Sequence, residues 1–319
     1  MVKGVRRWLG LAIGILLAAP LAFHGQVSIT PRPKPAPKEE TQPRANIRVE
    51  TNLVLIPVTV NDPLNRPVSG LEKENFRLYD NKVEQTISSF AMDDEPIAAG
   101  LVFDTSGSMG DKLQRSRMAA SVFFKISDPE DEFFLVEFDS KPRLVVPLTR
   151  DTGKIEEELT FSRSKGSTAL LDAIYMALQE MKHSRKNKKT LLVISDGGDN
   201  NSRYSVSEVN QLVQESDSLI YAIGVFGGGS TPEEAGGPAL LAHIAEQTGG
   251  HMFLANPVDL PDIAKRIGIE LRNRYILGFS PRDQARDGKY HHVQVKVVPP
   301  RGLPQLQAHW RLGYNAPDQ

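Results

Sequence analysis

Apolar and polar positions divide the chain into stretches of distinct periodicity. A basic head of Lys3, Arg6 and Arg7 precedes an uncharged apolar run from Trp8 to Phe23. That run is shorter than the ~20 residues of a membrane-spanning helix and has the make-up of an export signal. Residues 1–25 are therefore read as a signal peptide or, since Ala22 to Gly25 offer no clean small-x-small cleavage triplet, a short anchor. Residues 26–46 carry Pro31, Pro33, Pro35, Pro37 and Pro43 among Lys, Glu and Gln. Alternating prolines favour an extended polyproline spacer and supply no core.

From 47 to 94 the pattern has the period of strands. Residues 53–60 are rich in Val, Leu, Ile and Thr and end in Asn61-Asp62-Pro63, and 76–79 and 86–90 suggest a hairpin about residues 80–82. From 95 to 274 short apolar runs alternate with helical patterns. Strands are predicted at 98–103, 132–138, 144–148, 190–195, 219–225 and 251–253, and helices at 113–126, 152–159, 170–181, 206–216, 239–247 and 260–273. Such alternation is the pattern of an α/β domain with a doubly wound, mainly parallel sheet. After 275 the helices stop, and strands are predicted at 275–279, 293–298 and 305–312. Neither β flank is long enough to bury much core alone. The expectation is a single smaller β-sandwich-like module built from 47–94 and 275–319, with the α/β domain inserted into it.

Composition narrows the chemistry. The 319 residues hold 38 Lys plus Arg against 39 Asp plus Glu, for a formal net charge of −1. That balance gives no whole-chain attraction to nucleic acid or anionic lipid, so no nucleic-acid partner is expected. Membrane contact is expected only through an uncleaved N-terminal segment. Cysteine is absent, which excludes disulfides, thiolate metal sites, iron–sulfur clusters and cysteine nucleophiles. Any metal here must be held by oxygen or imidazole.

The first α/β strand runs straight into Asp104-Thr105-Ser106-Gly107-Ser108-Met109. One carboxylate and two hydroxyls at alternate positions lie where doubly wound sheets collect ligands, at the C-terminal ends of strands. Gly166-Ser167-Thr168-Ala169-Leu170 opens a helix with a hydroxyl, and Ile194-Ser195-Asp196-Gly197-Gly198 delivers a second carboxylate from another strand end. Hard oxygen donors without sulfur suit Mg²⁺, Mn²⁺ or Ca²⁺.

Together these pieces resemble a von Willebrand factor type A domain with a complete metal-ion-dependent adhesion site, over roughly residues 95–274. The resemblance implies that Asp104, Ser106, Ser108, Thr168 and Asp196 hold Mg²⁺, with Mn²⁺ and Ca²⁺ as alternatives. It also implies an open coordination position for the carboxylate of a partner protein. Ser167 stands where the family often has Gly, and Ser195 where it frequently has Thr; neither change removes a ligand. The whole chain is similar to the bacterial envelope proteins called VWFA-related. Arg66-Pro67-Val68-Ser69-Gly70-Leu71, Asn75-Phe76-Arg77-Leu78-Tyr79-Asp80, Tyr275-Ile276-Leu277-Gly278-Phe279-Ser280-Pro281 and Gly313-Tyr314 carry that likeness. It implies an exported protein that is periplasmic, envelope-associated or secreted.

With only Asp104 and Asp196 supplying charge, a bound cation stays under-neutralised and attractive to an incoming carboxylate. A lone metal without a positioned base lacks the second function most hydrolases require. The expected role is therefore adhesion-type protein binding, not enzymatic. A structural module of the envelope, with metal only stabilising the fold, is the alternative. A serine hydrolase using Ser162 and Lys165 is a distant one, because Ser162-Arg163-Ser164-Lys165 matches Ser-x-x-Lys but no Lys-Thr-Gly or Ser-Asp-Asn accompanies it. Gly227-Gly228-Gly229-Ser230 lacks the spacing of a phosphate loop. His291 and His292 adjoin in a strand and so point to opposite faces. The basic turn from His183 to Lys189 reads as a solvated loop, Asn200-Asn201-Ser202 as a frequent glycosylation triplet, and Asp199 as a surface turn carboxylate in preference to one tuning the outer shell of a metal at Asp196.

Overall fold

In the computed structural model, which describes residues 53–226, 232–281 and 287–316, the first strand is Val54–Asn61 (β1). Residues 1–25 and 26–46, and the glycines of 227–230, lie outside the described residues. Phe76–Asp80 (β2) and Val83–Gln85 (β3) form a two-residue hairpin through Asn81 and Lys82, at φ 46° and 71°. Positive φ at both central positions is the turn that matches strand twist. The expected second hairpin strand instead continues as Ile87–Asp93 (β4) and crosses to the other sheet. Gln85 and Ile87 are both buried, so the inside–outside alternation runs through the crossing and conceals it.

Ile97–Asp104 (β5) is buried at every position, as a central parallel strand covered on both faces must be. The chain then runs through Leu113–Lys125 (α1), Glu132–Phe138 (β6), Pro142–Thr149 (β7), Thr152–Phe161 (α2), Leu170–Met181 (α3), Lys188–Ser195 (β8), Val206–Glu215 (α4) and Ser218–Val225 (β9). Pro232–Thr248 (α5), Met252–Ala255 (β10) and Leu260–Leu271 (α6) complete the domain. The sheet order is β10-β9-β8-β5-β6-β7, with every pairing parallel except β6 with β7. Strict strand–helix alternation therefore fails at one place. The turn between β6 and β7 is too short for a crossover helix and forces an antiparallel edge strand, so α2 and α3 follow in succession. Helix α5 also starts sooner than expected and carries Pro238 inside it.

Arg274–Phe279 (β11), Tyr290–Val297 (β12), Gln307–Trp310 (β13) and Gly313–Asn315 (β14) return to the β flank. They pair with the N-terminal strands in two antiparallel four-stranded sheets, β13-β1-β11-β4 and β14-β12-β2-β3. Ile56, Val58, Phe76, Leu78, Tyr275, Leu277, Val293 and Val295 fill the space between them, so both ends of the chain contribute to one core. Among the described residues no helix is long and apolar enough to cross a membrane.

Charged and polar groups line the junction of this module with the α/β domain. Asp93 receives Arg274 at 2.6 Å and Lys188 at 3.3 Å. Glu270 is fully buried and accepts from Asn61 at 3.2 Å and Tyr221 at 2.9 Å; burial pushes its carboxyl up to about 7. Beside it His251 stacks on His309 at 4.2 Å, and burial, then His309, pushes it down to about 3. The two act oppositely on stability. Folded Glu270 keeps its proton where the unfolded chain has lost it, so its contribution declines as pH rises from about 4.5 to about 7. Folded His251 refuses a proton that the unfolded chain accepts, so its contribution declines as pH falls from about 6.5 to about 3. Glu270→Gln removes the first effect, while His251, whose Nδ1 lies 3.6 Å from Glu270 Oε1, keeps its burial. Relative to the wild type it should gain on the order of 3 kcal/mol between about pH 4.5 and 7.5. Urea unfolding at both pH values checks this, and a pH-independent difference would contradict it.

Candidate functional site

The sheet order reverses between β5 and β8, and the candidate residues gather there. Asp104 is the last residue of β5, and Asp196 follows the last residue of β8. Asp104, Asp196 and Ser106 are at most 1% exposed, Thr168 is buried, and Ser108 and Gly107 face solvent. The donors thus line a recess whose mouth is the loop after β5.

Asp104 Oδ1 accepts from the Ser106 backbone at 2.8 Å, and Asp104 Oδ2 accepts from the Ser195 hydroxyl at 2.5 Å. Ser195 Oγ accepts from Gly197 N at 2.9 Å, so one hydroxyl fixes both the Asp104 carboxylate and the turn after Asp196. The hydroxyls of Ser106 and Ser108 lie 3.1 Å apart. Thr168 is brought in by loop stitching: Gly107 N donates to Gly166 O at 3.0 Å and Lys165 N to Thr105 O at 2.8 Å. The turn after Asp196 cradles it. Asn200 Oδ1 accepts from Thr168 N at 2.9 Å, and the amides of Asn200 and Asn201 donate to Thr168 O at 3.0 Å.

Two carboxylates buried together repel. Burial and the Asp196 charge push Asp104 up to about 7, against the hydrogen bonds from Ser106 and Ser195. Lys112 Nζ reaches Asp196 Oδ2 at 3.1 Å, but Asp196 Oδ1 is buried with no hydrogen-bond partner. An orphaned carboxylate oxygen beside a second buried acid and three hydroxyls is a donor set short of positive charge, which a hard divalent cation fits. Among the described residues no cluster built from His, Asp and Glu alone could hold a metal, so a cation here depends on the Ser and Thr hydroxyls.

Several supporting residues went unrecognised in the sequence. Asp199 is no free surface carboxylate: it accepts from Leu170 N at 2.9 Å and so caps α3 directly behind Thr168. Asn200, read as a glycosylation triplet, holds Thr168. Gly237 of α5 meets Gly197, whose φ of 78° favours glycine. A Cβ on Gly237 would stand 2.4 Å from Asp196 O, closer than atoms can approach. Gly237→Ala should therefore displace the Asp196 turn and weaken Mg²⁺-induced thermal stabilisation while the far-UV spectrum stays native. An unaltered Mg²⁺ response would show that the turn does not depend on this contact. The run of Asp and Asn after Asp196 was the one local signal for the cradle; the glycine contact had none.

The other motifs are dispersed. Ser162 Oγ donates to Glu137, not to Lys165, which is exposed. His291 is buried against Asp80 at 3.2 Å, and His292 is exposed on the opposite face.

A family model described as von Willebrand factor type A domain matches residues 101–198. An uncharacterized protein of Borreliella burgdorferi is 30% identical over 49% of this chain and 53% of its own. The inter-alpha-trypsin inhibitor heavy chain H4 of Bos taurus is 28% identical over 47% of this chain and 17% of its own. The chain thus spans about half or less of the length of the curated relatives it matches. Among solved structures, von Willebrand factor type A from Catenulispora acidiphila matches 83% of this chain and 63% of its own, with 13% identity and a TM-score of 0.50. That likeness is one of fold. The vWF domain of the type V pili tip protein Mfa5 from Porphyromonas gingivalis matches 55% of this chain and 96% of its own, with 16% identity and a TM-score of 0.46.

Proposed function

We propose, from the premise that this chain carries a von Willebrand factor type A domain, that it is an exported, adhesion-type binding protein. In this reading Asp104, Ser106, Ser108, Thr168 and Asp196 hold a divalent cation, Mg²⁺ first. When bound, the cation supplies a Lewis-acidic position that a carboxylate of a partner protein can occupy. The observation that carries the proposal is the unpartnered, buried Asp196 Oδ1, on a side chain whose charge is felt by the buried Asp104 carboxyl. The chain's own residues divide the rest of the work. Ser195 orients Asp104, the 199–201 turn positions Thr168, and Lys112 neutralises one oxygen of Asp196. With two carboxylates and one ammonium in the recess, a bound dication leaves net positive charge, and that charge attracts an acid. The exported location rests on the basic head and apolar run at residues 3–23.

The test is partner capture from envelope extracts by the full chain, in Mg²⁺ and in EDTA, alongside thermal unfolding in the same buffers. Adhesion predicts stabilisation by Mg²⁺ together with a partner retained in Mg²⁺ and released by EDTA. Stabilisation with the same partners in both buffers would point to the assembly role, with the metal serving only the fold. No Mg²⁺ effect on either readout would overturn the proposal.

A further inference from the structure

The rim of this recess differs in charge from the chain as a whole. The chain is nearly neutral, at −1. Yet the loops bound together around the recess expose Lys141, Arg163, Lys165 and Arg203, with Asp111 the exposed acid among them. Hydrogen bonds hold those loops side by side. Ser167 N donates to Ser140 Oγ at 3.0 Å, Asn201 Nδ2 to Ser140 O at 2.6 Å, and Ala169 N to Asp139 O at 2.9 Å, in addition to the Gly107–Gly166 and Lys165–Thr105 bonds. Lys141 therefore stands on the β6–β7 turn, Arg163 and Lys165 on the α2–α3 connection, and Arg203 on the segment after β8, on loops bonded to one another and to the loop after β5. Among the described residues Lys141, Arg163 and Lys165 enter no ion pair, and the Arg203 side chain is 84% exposed although it touches Asp172.

An exposed apolar group lies next to these cations along the chain. Phe161, the last residue of α2 and two positions before Arg163, is 71% exposed. One residue earlier on α2, a cavity of about 300 Å³ between α1 and α2 is lined by Arg117, Met118, Ser121, Glu156, Leu159 and Thr160; Met118 is 44% exposed, and Glu156 is the acid among them, bonded to Ser121. Solvent-facing aromatic and thioether groups beside unpaired cations are a surface suited to a mixed acidic and apolar ligand.

We propose that this face docks an acidic segment of a partner protein. One carboxylate of that segment enters the recess, neighbouring acidic side chains meet Lys141, Arg163, Lys165 and Arg203, and an apolar side chain covers Phe161. The inference rests on the metal-site reading above and extends it from one carboxylate to a cluster. A protein segment fits better than an anionic polysaccharide, which would satisfy the cations but leave Phe161 in water. Rim charges act on encounter rate and salt dependence more than on the final contact, so the interaction should be strongest at low ionic strength.

Synthetic peptides test this with the full chain. One carries a Glu cluster with an adjacent Leu, another a single Glu with Gln in place of the rest, and polygalacturonate serves as the carbohydrate probe. In Mg²⁺ at low salt, the combined variant Lys141→Gln, Arg163→Gln, Lys165→Gln should bind the clustered peptide roughly tenfold more weakly than wild type. It should bind the single-Glu peptide unchanged, and the gap should close near 0.5 M salt, about where screening removes surface attraction. Phe161→Ser should weaken the clustered peptide alone. Equal binding of the clustered peptide by the combined variant and wild type would overturn the inference, as would retention of polygalacturonate in preference to the peptide. The two readings separate cleanly. If the single-Glu peptide needs Mg²⁺ and Asp104 while the rim variants are silent, the rim falls and the metal site stands. If the combined variant loses the peptide while EDTA and Asp104→Ala do nothing, the rim stands and the metal site falls.

Discussion

Asp104→Ala is expected to abolish Mg²⁺-induced thermal stabilisation and to lower Mg²⁺-dependent capture of an immobilised glutamate peptide to the level seen in EDTA. The fold should survive. Asp104 sits at the end of a strand whose other positions pack in the two hydrophobic layers, and its removal relieves the cost of burying a carboxyl that burial, then the Asp196 charge, pushes up to about 7. The variant should therefore match or exceed wild-type stability in EDTA while failing to respond to Mg²⁺. Thermal unfolding with and without the cation checks both halves. A wild-type Mg²⁺ response in the variant would show that the recess is not where the cation acts.

The largest effect on stability is expected far from the recess, where the chain passes between its two modules. Asp93→Asn keeps the shape of the side chain but removes the carboxylate lying between Lys188 and Arg274, whose side chains are 2% and 6% exposed. Two cations would then share a buried site with no counterion. Breaking a buried pair in this way costs about 3–5 kcal/mol, and Asp93, less deeply buried than its partners, should fall near the lower end. In the wild type burial would raise the Asp93 carboxyl, but Arg274 and Lys188 hold it below its ordinary value. Burial meanwhile lowers Lys188 to about 8. Without Asp93 the lysine can lose its proton more readily still, so the deficit of the variant should narrow as pH rises into the alkaline range. Urea unfolding at neutral and alkaline pH measures both effects. A loss below about 1 kcal/mol would mean that water, not Asp93, compensates these cations.

Both expectations rest on features of different legibility. The strand ends that present Asp104 and Asp196 could be read from the chain because each is a local event, an apolar run breaking into a polar, glycine-rich turn. The alternation of runs was enough to expect a mainly parallel α/β domain, and the brevity of each β flank enough to expect a shared module. What could not be read is what depends on residues distant in sequence. Ser195 looked like a departure from the family pattern, yet its hydroxyl orients Asp104. Asp199 looked like a turn carboxylate and Asn200 like the start of a glycosylation triplet, yet they cap α3 and hold Thr168. Gly237 lies within α5 and carried no signal; only its approach to Asp196 O gives it meaning. The path of β4 was hidden for a related reason: a strand leaving one sheet for another can keep an unbroken period of two. The Asp93 cluster joins positions 93, 188 and 274, and no window of sequence contains all three.

The central claim is that the recess at the ends of β5 and β8 binds a divalent cation through this chain's own oxygen donors. Calorimetric titration of Mg²⁺ into the metal-stripped full chain tests it most directly. One equivalent taken up by the wild type, and none by Asp104→Ala, is the result predicted. No uptake by the wild type, or equal uptake by both, would contradict it.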